Sequence, residues 1–128
     1  MDDANVPSLL SMPYLGYCKK EDTLYQHTRS FILSHHNHYY YQETCASGIG
    51  SPHTPKNYIW HIALSMQGLT GTKEEAKKMI NLILETSNNE GLCHEGFNKD
   101  EPSEYTRFWF AWANSLFAEL VYQTYFVK

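Results

Sequence analysis

Basic residues are scarce in this 128-residue chain: ten Lys and Arg stand against fourteen Asp and Glu, for a net charge of −4. They are spread thinly, so nothing forms the basic patch that tracks a phosphate backbone, and no nucleic-acid partner is expected. Cysteine is scarce too. Cys18, Cys45 and Cys93 are odd in number, far apart and without a CxxC pair, which fits a reducing compartment better than a disulfide framework. The start, Met1-Asp2-Asp3-Ala4-Asn5, is acidic with no apolar core behind it, unlike a signal peptide. Both features point to a cytoplasmic setting. Long apolar runs are limited to Phe108–Val127, which Asn114, Ser115, Glu119 and Gln123 interrupt. A charge such as Glu119 costs about 2.5 to 3.5 kcal/mol at a bilayer centre, so the run reads as a buried helix and no membrane partner is expected. Alternating strand character is missing as well.

Helical signals fill the space these absences leave. Val6-Pro7-Ser8-Leu9-Leu10 suggests a helix of a turn or two, closed by Pro13, with Asp2, Asp3 and Asn5 placed to cap its backbone N–H groups. Thr23 to Leu33 follows, with Asp22 as N-cap and Leu24, Thr28, Phe31 and Ile32 near one face. Asn57 to Leu69 carries Ile59, Ile62, Ala63 and Met66 at helical spacing, with Trp60 and His61 on its flanks. Thr72 and Glu75 form a capping box for a third helix striped by Ala76, Met79, Ile80, Ile83 and Leu84. The last helix is expected from Pro102 to about Tyr125. The fold class expected is all-α, with two long loops at 34–55 and 87–102 separated by one tight helical hairpin. Loops of that length tend to be functional.

Chemistry-bearing residues concentrate in those loops. His35, His36 and His38 invite a metal, but no Cys or carboxylate completes a ligand spacing, so neither metal nor cofactor is expected. Glu95 lies in Cys93-His94-Glu95-Gly96-Phe97-Asn98, ahead of the heaviest apolar helix. Locally it is a solvated Glu or a catalytic carboxylate; charged groups on loops held by a rigid scaffold are where chemistry tends to be found. His94-Glu95 lacks the second His four residues on that a HExxH zinc helix requires. Aromatics make up 15% of the chain. Packing explains such an excess, and so does a cleft in which rings lie against the C–H faces of a sugar.

Three blocks then carry a resemblance. Met1-Asp2-Asp3-Ala4-Asn5-Val6-Pro7-Ser8-Leu9-Leu10 is the first. Gly48-Ile49-Gly50-Ser51-Pro52-His53-Thr54-Pro55 with Tyr58-Ile59-Trp60-His61 is the second. His94-Glu95 with Phe97-Asn98, Thr106-Arg107 and Trp109-Phe110-Ala111-Trp112-Ala113-Asn114-Ser115-Leu116-Phe117 is the third. Together and in this order they resemble glycoside hydrolase family 125, the exo-α-1,6-mannosidases. The resemblance implies an (α/α)6 barrel of which residues 1–128 are the carboxy-terminal part of a single catalytic domain, needing the upstream part to be complete. It implies metal-independent, inverting removal of terminal non-reducing α-1,6-linked mannose from oligosaccharides or N-glycans. Glu95 is then the general base, and the general acid lies upstream. Asp2, Asp3, His53, His94 and Arg107 are the expected substrate-binding residues, with His94 or Arg107 as the positive or hydrogen-bonding neighbour of Glu95. A non-catalytic carbohydrate-binding stretch is the alternative. Gly96 stands where the family commonly has Ser, which suggests a looser backbone beside Glu95.

Overall fold

The computed structural model describes residues 2–43, 46–88 and 90–127; Met1 and Cys45 lie outside the described residues. Four α-helices and five short strands occur among them, in the order α1 (Thr23–Ile32), β1 (Tyr40–Glu43), β2 (Ala46–Ile49), β3 (Tyr58–Trp60), α2 (His61–Thr70), α3 (Lys73–Thr86), β4 (Gly96–Asn98), β5 (Tyr105–Thr106) and α4 (Ala111–Tyr125). The chain is a mixed α/β unit, which overturns the all-α expectation and with it the reading as an all-helical portion of an (α/α)6 barrel. The strands are two to four residues long, too short to display a period of two. Gly96 and Asn98 are also poor strand formers. These segments are extended because partners distant in sequence pair with them.

Strands β1 and β2 form an antiparallel hairpin with Tyr40 opposite Ile49 and Tyr41 opposite Gly48. The second sheet has the order β3-β4-β5. Here Tyr58, Ile59 and Trp60 face Asn98, Phe97 and Gly96, and Gly96 and Phe97 in turn face Thr106 and Tyr105. Residues expected as the first turn of a helix are therefore strand: Trp60 is extended at φ −96°, ψ 132°, and α2 starts one residue later. The final helix is displaced too. Asn98 Oδ1 accepts from Asp100 N–H (2.9 Å) and Glu101 N–H (3.2 Å), bending residues 99–104 into the β4–β5 connection, so α4 begins only at Ala111.

Helix α2 packs against both α3 and α4, and His61, Ile62, Ala63, Leu64, Ser65 and Met66 are all buried. Helix α3 is capped by Thr72 Oγ1, which accepts from Glu75 N–H at 3.2 Å. Glu75 does not close the box from the other side. Its carboxylate takes Arg29 Nη2 at 2.9 Å and Gln67 Nε2 at 2.9 Å, tying α1 to α2 and α3. The buried stripe of α3 is Ala76, Met79, Ile80 and Ile83, whereas Leu84 is exposed. In α1, Asp22 caps as expected by accepting from Tyr25 N–H (3.0 Å), but Tyr25 and Ile32 are the buried residues, and Leu24 and Phe31 face out. The expected amino-terminal helix is replaced by consecutive turns over residues 9–18.

Helix α4 buries only Ala113, Leu120 and Thr124. Trp112 is 68% exposed, Tyr122 57% and Tyr125 54%, so a helix read as buried presents most of its aromatic surface outward. Among the described residues no helix is long and apolar enough to cross a membrane.

Candidate active site

The segment carrying Glu95 is held peptide by peptide. Four successive backbone N–H groups each have a different acceptor: Cys93 donates to Asn114 Oδ1 (2.9 Å), His94 to His61 Nδ1 (2.9 Å), Glu95 to the Thr106 carbonyl (3.1 Å) and Gly96 to Thr106 Oγ1 (3.1 Å). Asn114, in the first turn of α4, also donates from Nδ2 to the Phe110 carbonyl (2.9 Å), and Phe110 N–H donates to the Cys93 carbonyl (3.0 Å). Gly96 is therefore not a loose point. It is paired on both edges, and a Cβ there would lie 3.1 Å from Trp60 Cδ1 and 3.2 Å from its Nε1, so a side chain requires the indole to move. Burial also pushes the Cys93 thiol up to about 12, which keeps it protonated.

Two buried histidines stand behind this segment, and their contacts define their tautomers. His61 Nδ1 accepts from His94 N–H, so Nε2 carries the proton and donates to Thr86 Oγ1 (2.9 Å), whose hydroxyl donates to the Leu82 carbonyl (2.7 Å). His94 Nδ1 donates to the Phe108 carbonyl (3.0 Å) and leans toward that of Arg107 (3.3 Å). The His94 ring stacks on Tyr105 at 3.9 Å between centroids and on His61 at 5.4 Å. Burial, with a smaller contribution from His94, pushes His61 down to about 3, and burial also lowers His94. Both rings are neutral, so His94 is not the positive neighbour of Glu95. As pH falls below about 6.5, the imidazole of the unfolded chain protonates while that of folded His61 does not. Its contribution to stability is complete above that pH and is lost progressively toward pH 3. Urea unfolding between pH 7 and 4 should show His61→Asn losing less stability than the parent, by about 1.4 kcal/mol per pH unit. Equal slopes would place the acid sensitivity elsewhere.

Arg107 supplies the positive neighbour. Its Nε lies 3.4 Å from Glu95 Oε2, with the Glu95 side chain 17% exposed and that of Arg107 63% exposed. The guanidinium also covers the Phe110 ring at 5.6 Å. Arg107 adopts φ 51°, a left-handed conformation unusual for a residue with a Cβ. That turn takes the chain out of β5 while its side chain reaches back to Glu95, and the His94–Phe108 hydrogen bond holds it.

The amino-terminal candidates form a second group. Asp2 is buried and structural in its contacts: its two carboxylate oxygens accept from Leu9 N–H (3.0 Å) and Leu10 N–H (3.2 Å). Burial raises its pKa from the usual carboxylate range against the lowering by those donors. Asp3, half-buried, accepts from Asn5 Nδ2 (2.9 Å) and Ser51 Oγ (3.1 Å). His53 is exposed, with its N–H on Ser51 Oγ at 3.3 Å. Contacts within the structure thus join Asp3 and His53 through Ser51, and Glu95, His94 and Arg107 with one another.

Trp60 connects the two groups. Its Nε1 donates to Thr54 Oγ1 (2.8 Å) in the turn after Ser51, its backbone faces Gly96, and its ring meets Phe110 edge to face at 6.4 Å. Trp60 and Asn5 also line a cleft of about 420 Å³ with Tyr14, Met66, Trp112 and Glu119. Sequence reasoning placed Trp60, His61 and Asn114 inside its motif blocks without assigning them to the site. The available signal was their polar or amphipathic character within otherwise apolar runs. In the 34–55 segment His36 stacks on Phe31 at 5.2 Å and lies tilted against His35 at 4.1 Å, and His38 meets Tyr39 edge to face at 5.2 Å. Among the described residues no group of three or more His, Cys, Asp or Glu is placed to hold a metal ion.

Residues 1–122 match the family model of metal-independent α-mannosidases, GH125. The chain is 44% identical over 123 residues to the meiotically up-regulated gene 157 protein of Schizosaccharomyces pombe, covering 94% of this chain and 24% of that protein. It superposes with a TM-score of 0.95 and 52% identity on a Streptococcus pneumoniae structure from a family of metal-independent α-mannosidases, in a non-productive substrate complex with α-1,6-mannobiose; that match covers 97% of this chain and 29% of the other. The chain thus spans about a quarter of the length of these relatives. It belongs to the GH125 family of metal-independent α-mannosidases.

Proposed function

We propose that residues 1–128 contribute the general-base side of a glycosidase that removes terminal α-1,6-linked mannose with inversion. The observation that supports this is Glu95: a partly exposed carboxylate, ion-paired at 3.4 Å to an exposed arginine, on a backbone fixed at four consecutive peptides. A base must accept a proton from water at a defined point, and a fixed backbone limits where the carboxylate can be. The complex of the pneumococcal relative with α-1,6-mannobiose supports the substrate class.

Inversion needs a second carboxyl about 6.5 to 9.5 Å from the first, on the other side of the sugar, with the water between base and anomeric carbon. That acid comes from outside residues 1–128, in the upstream part of the same catalytic domain. On this reading residues 1–128 alone supply one carboxyl of two and give no turnover. Arg107, Asp3 and His53 contact mannose hydroxyls or the attacking water. Asp2 serves the site indirectly, by shaping the turn at Leu9 and Leu10.

The test is product stereochemistry. Proton NMR of full-length enzyme on α-1,6-mannobiose should show β-mannose as the first product, with the rate unchanged by a chelator. First-formed α-mannose would require a nucleophilic carboxylate about 5 to 5.5 Å from the acid and would overturn the assignment of Glu95 as base.

A further inference from the structure

We infer that His61 and Thr86 are positioning residues for Glu95, acting through the His94–Glu95 backbone rather than on substrate. This inference rests on the proposal that Glu95 is the general base. Its ground is the continuous relay from the C-terminal turn of α3 to the peptide before Glu95: the Leu82 carbonyl takes the Thr86 hydroxyl, Thr86 Oγ1 takes His61 Nε2–H, and His61 Nδ1 takes His94 N–H.

Three features argue for positioning over simple packing. His61 and His94 are fully buried, at 0% exposure, so neither ring reaches a sugar. Each hydrogen bond fixes the direction of the next: the helical carbonyl can only accept, so the hydroxyl proton points to it, and the Oγ1 lone pair then faces His61. That leaves Nδ1 as an acceptor aimed at one backbone N–H. The ring is also clamped between Phe97, at 4.8 Å, and His94, at 5.4 Å between centroids, so it cannot turn away. Two residues in different helices thereby set the orientation of the Cys93–His94 peptide, one residue ahead of the base. An apolar ring at 61 fills the space and leaves the buried His94 N–H unpaired. That N–H then seeks another acceptor and rotates the peptide.

The test uses full-length enzyme on α-1,6-mannobiose. His61→Phe should lower kcat by about 10- to 100-fold, the scale expected for a supporting hydrogen bond or a 1 Å misplacement, while KM changes little. His61→Asn, which offers Oδ1 near the position of Nδ1, should restore most of it. Thr86→Val keeps the shape and removes the hydroxyl that accepts from Nε2–H and donates to the Leu82 carbonyl; it should lower kcat in the same sense, and it decides the matter if His61→Phe fails to fold. In a Glu95→Gln background none of these changes should cost further rate. An inactive Glu95→Gln enzyme together with near-native kcat for His61→Phe and Thr86→Val would overturn this inference alone, as would losses that add in full to that of Glu95→Gln. Near-native turnover by Glu95→Gln would overturn the general-base assignment and, with it, this inference.

Discussion

Glu95→Gln in the full-length enzyme should lower kcat on α-1,6-mannobiose by about 10²- to 10⁴-fold, the contribution of a general base to such a step, with KM nearly unchanged. The substitution is close to isosteric. The new amide retains an oxygen that can accept from Arg107 Nε, which lies 3.4 Å from Oε2 of the native carboxylate. It also leaves intact the four backbone hydrogen bonds, none of which uses the Glu95 side chain. What it removes is a site that takes a proton from water. Binding of mannose, which depends on hydroxyl contacts and ring surfaces, should persist and is measurable by calorimetry. Turnover within a few-fold of the parent would mean that another carboxylate activates the water. Loss of both binding and kcat would mean that Glu95 holds the sugar instead.

Gly50→Ala should be the most disruptive single-methyl change in the chain. A Cβ built at residue 50 falls 2.1 Å from the Tyr58 carbonyl oxygen and 2.6 Å from Tyr41 Cε2, and the nearer atom is backbone, which cannot swing aside. The Gly50 peptide is already committed on both sides, its N–H to the Tyr39 carbonyl (2.8 Å) and its carbonyl to Ala4 N–H (2.9 Å). Relief requires β3 to move away from the end of β2. Since β3 carries Trp60 and pairs with β4 beside Glu95, the displacement reaches both halves of the site. A loss of roughly 3 kcal/mol or more is expected, at or beyond the upper end for overpacking, read as a fall in the urea midpoint of the full-length protein. Because the shift passes through Trp60, kcat should fall as well in whatever fraction folds. A variant within about 0.5 kcal/mol of the parent, as for an ordinary surface change, would show that the two strands separate freely.

These two residues divide differently between sequence and structure. Glu95 stood out through the motif block that carries the family resemblance, and its proposed role rests on that block and on Arg107, which is close in the chain and pairs with it. Gly50 belonged to a recognised block, but its necessity is a matter of Tyr58 and Tyr41 arriving from other strands. The same distinction explains the strands. Tyr58-Ile59-Trp60 fits a helical stripe as well as an extended segment, and only pairing with Gly96-Phe97-Asn98 selects the latter. It also explains His94, whose adjacency to Glu95 suggested a charged partner. Burial between Tyr105 and His61 makes it neutral and gives its proton to a backbone carbonyl.

By itself the sequence determined what local chemistry can determine. The helices α1, α2 and α3 follow from periodicity and from the caps at Asp22 and Thr72. The family is carried by motifs whose residues lie close together in the chain. Tertiary structure decided what depends on distant partners. It made five segments extended, delayed α4 until after the left-handed turn at Arg107, and left most of that helix's aromatic surface exposed. It set aside Asp2 to hold Leu9 and Leu10, and it recruited His61, Thr86 and Asn114 to fix the peptides around Glu95. The physical reason is the same in each case. A short segment's own preferences differ by about a kilocalorie per mole or less, and satisfying a buried backbone N–H outweighs them.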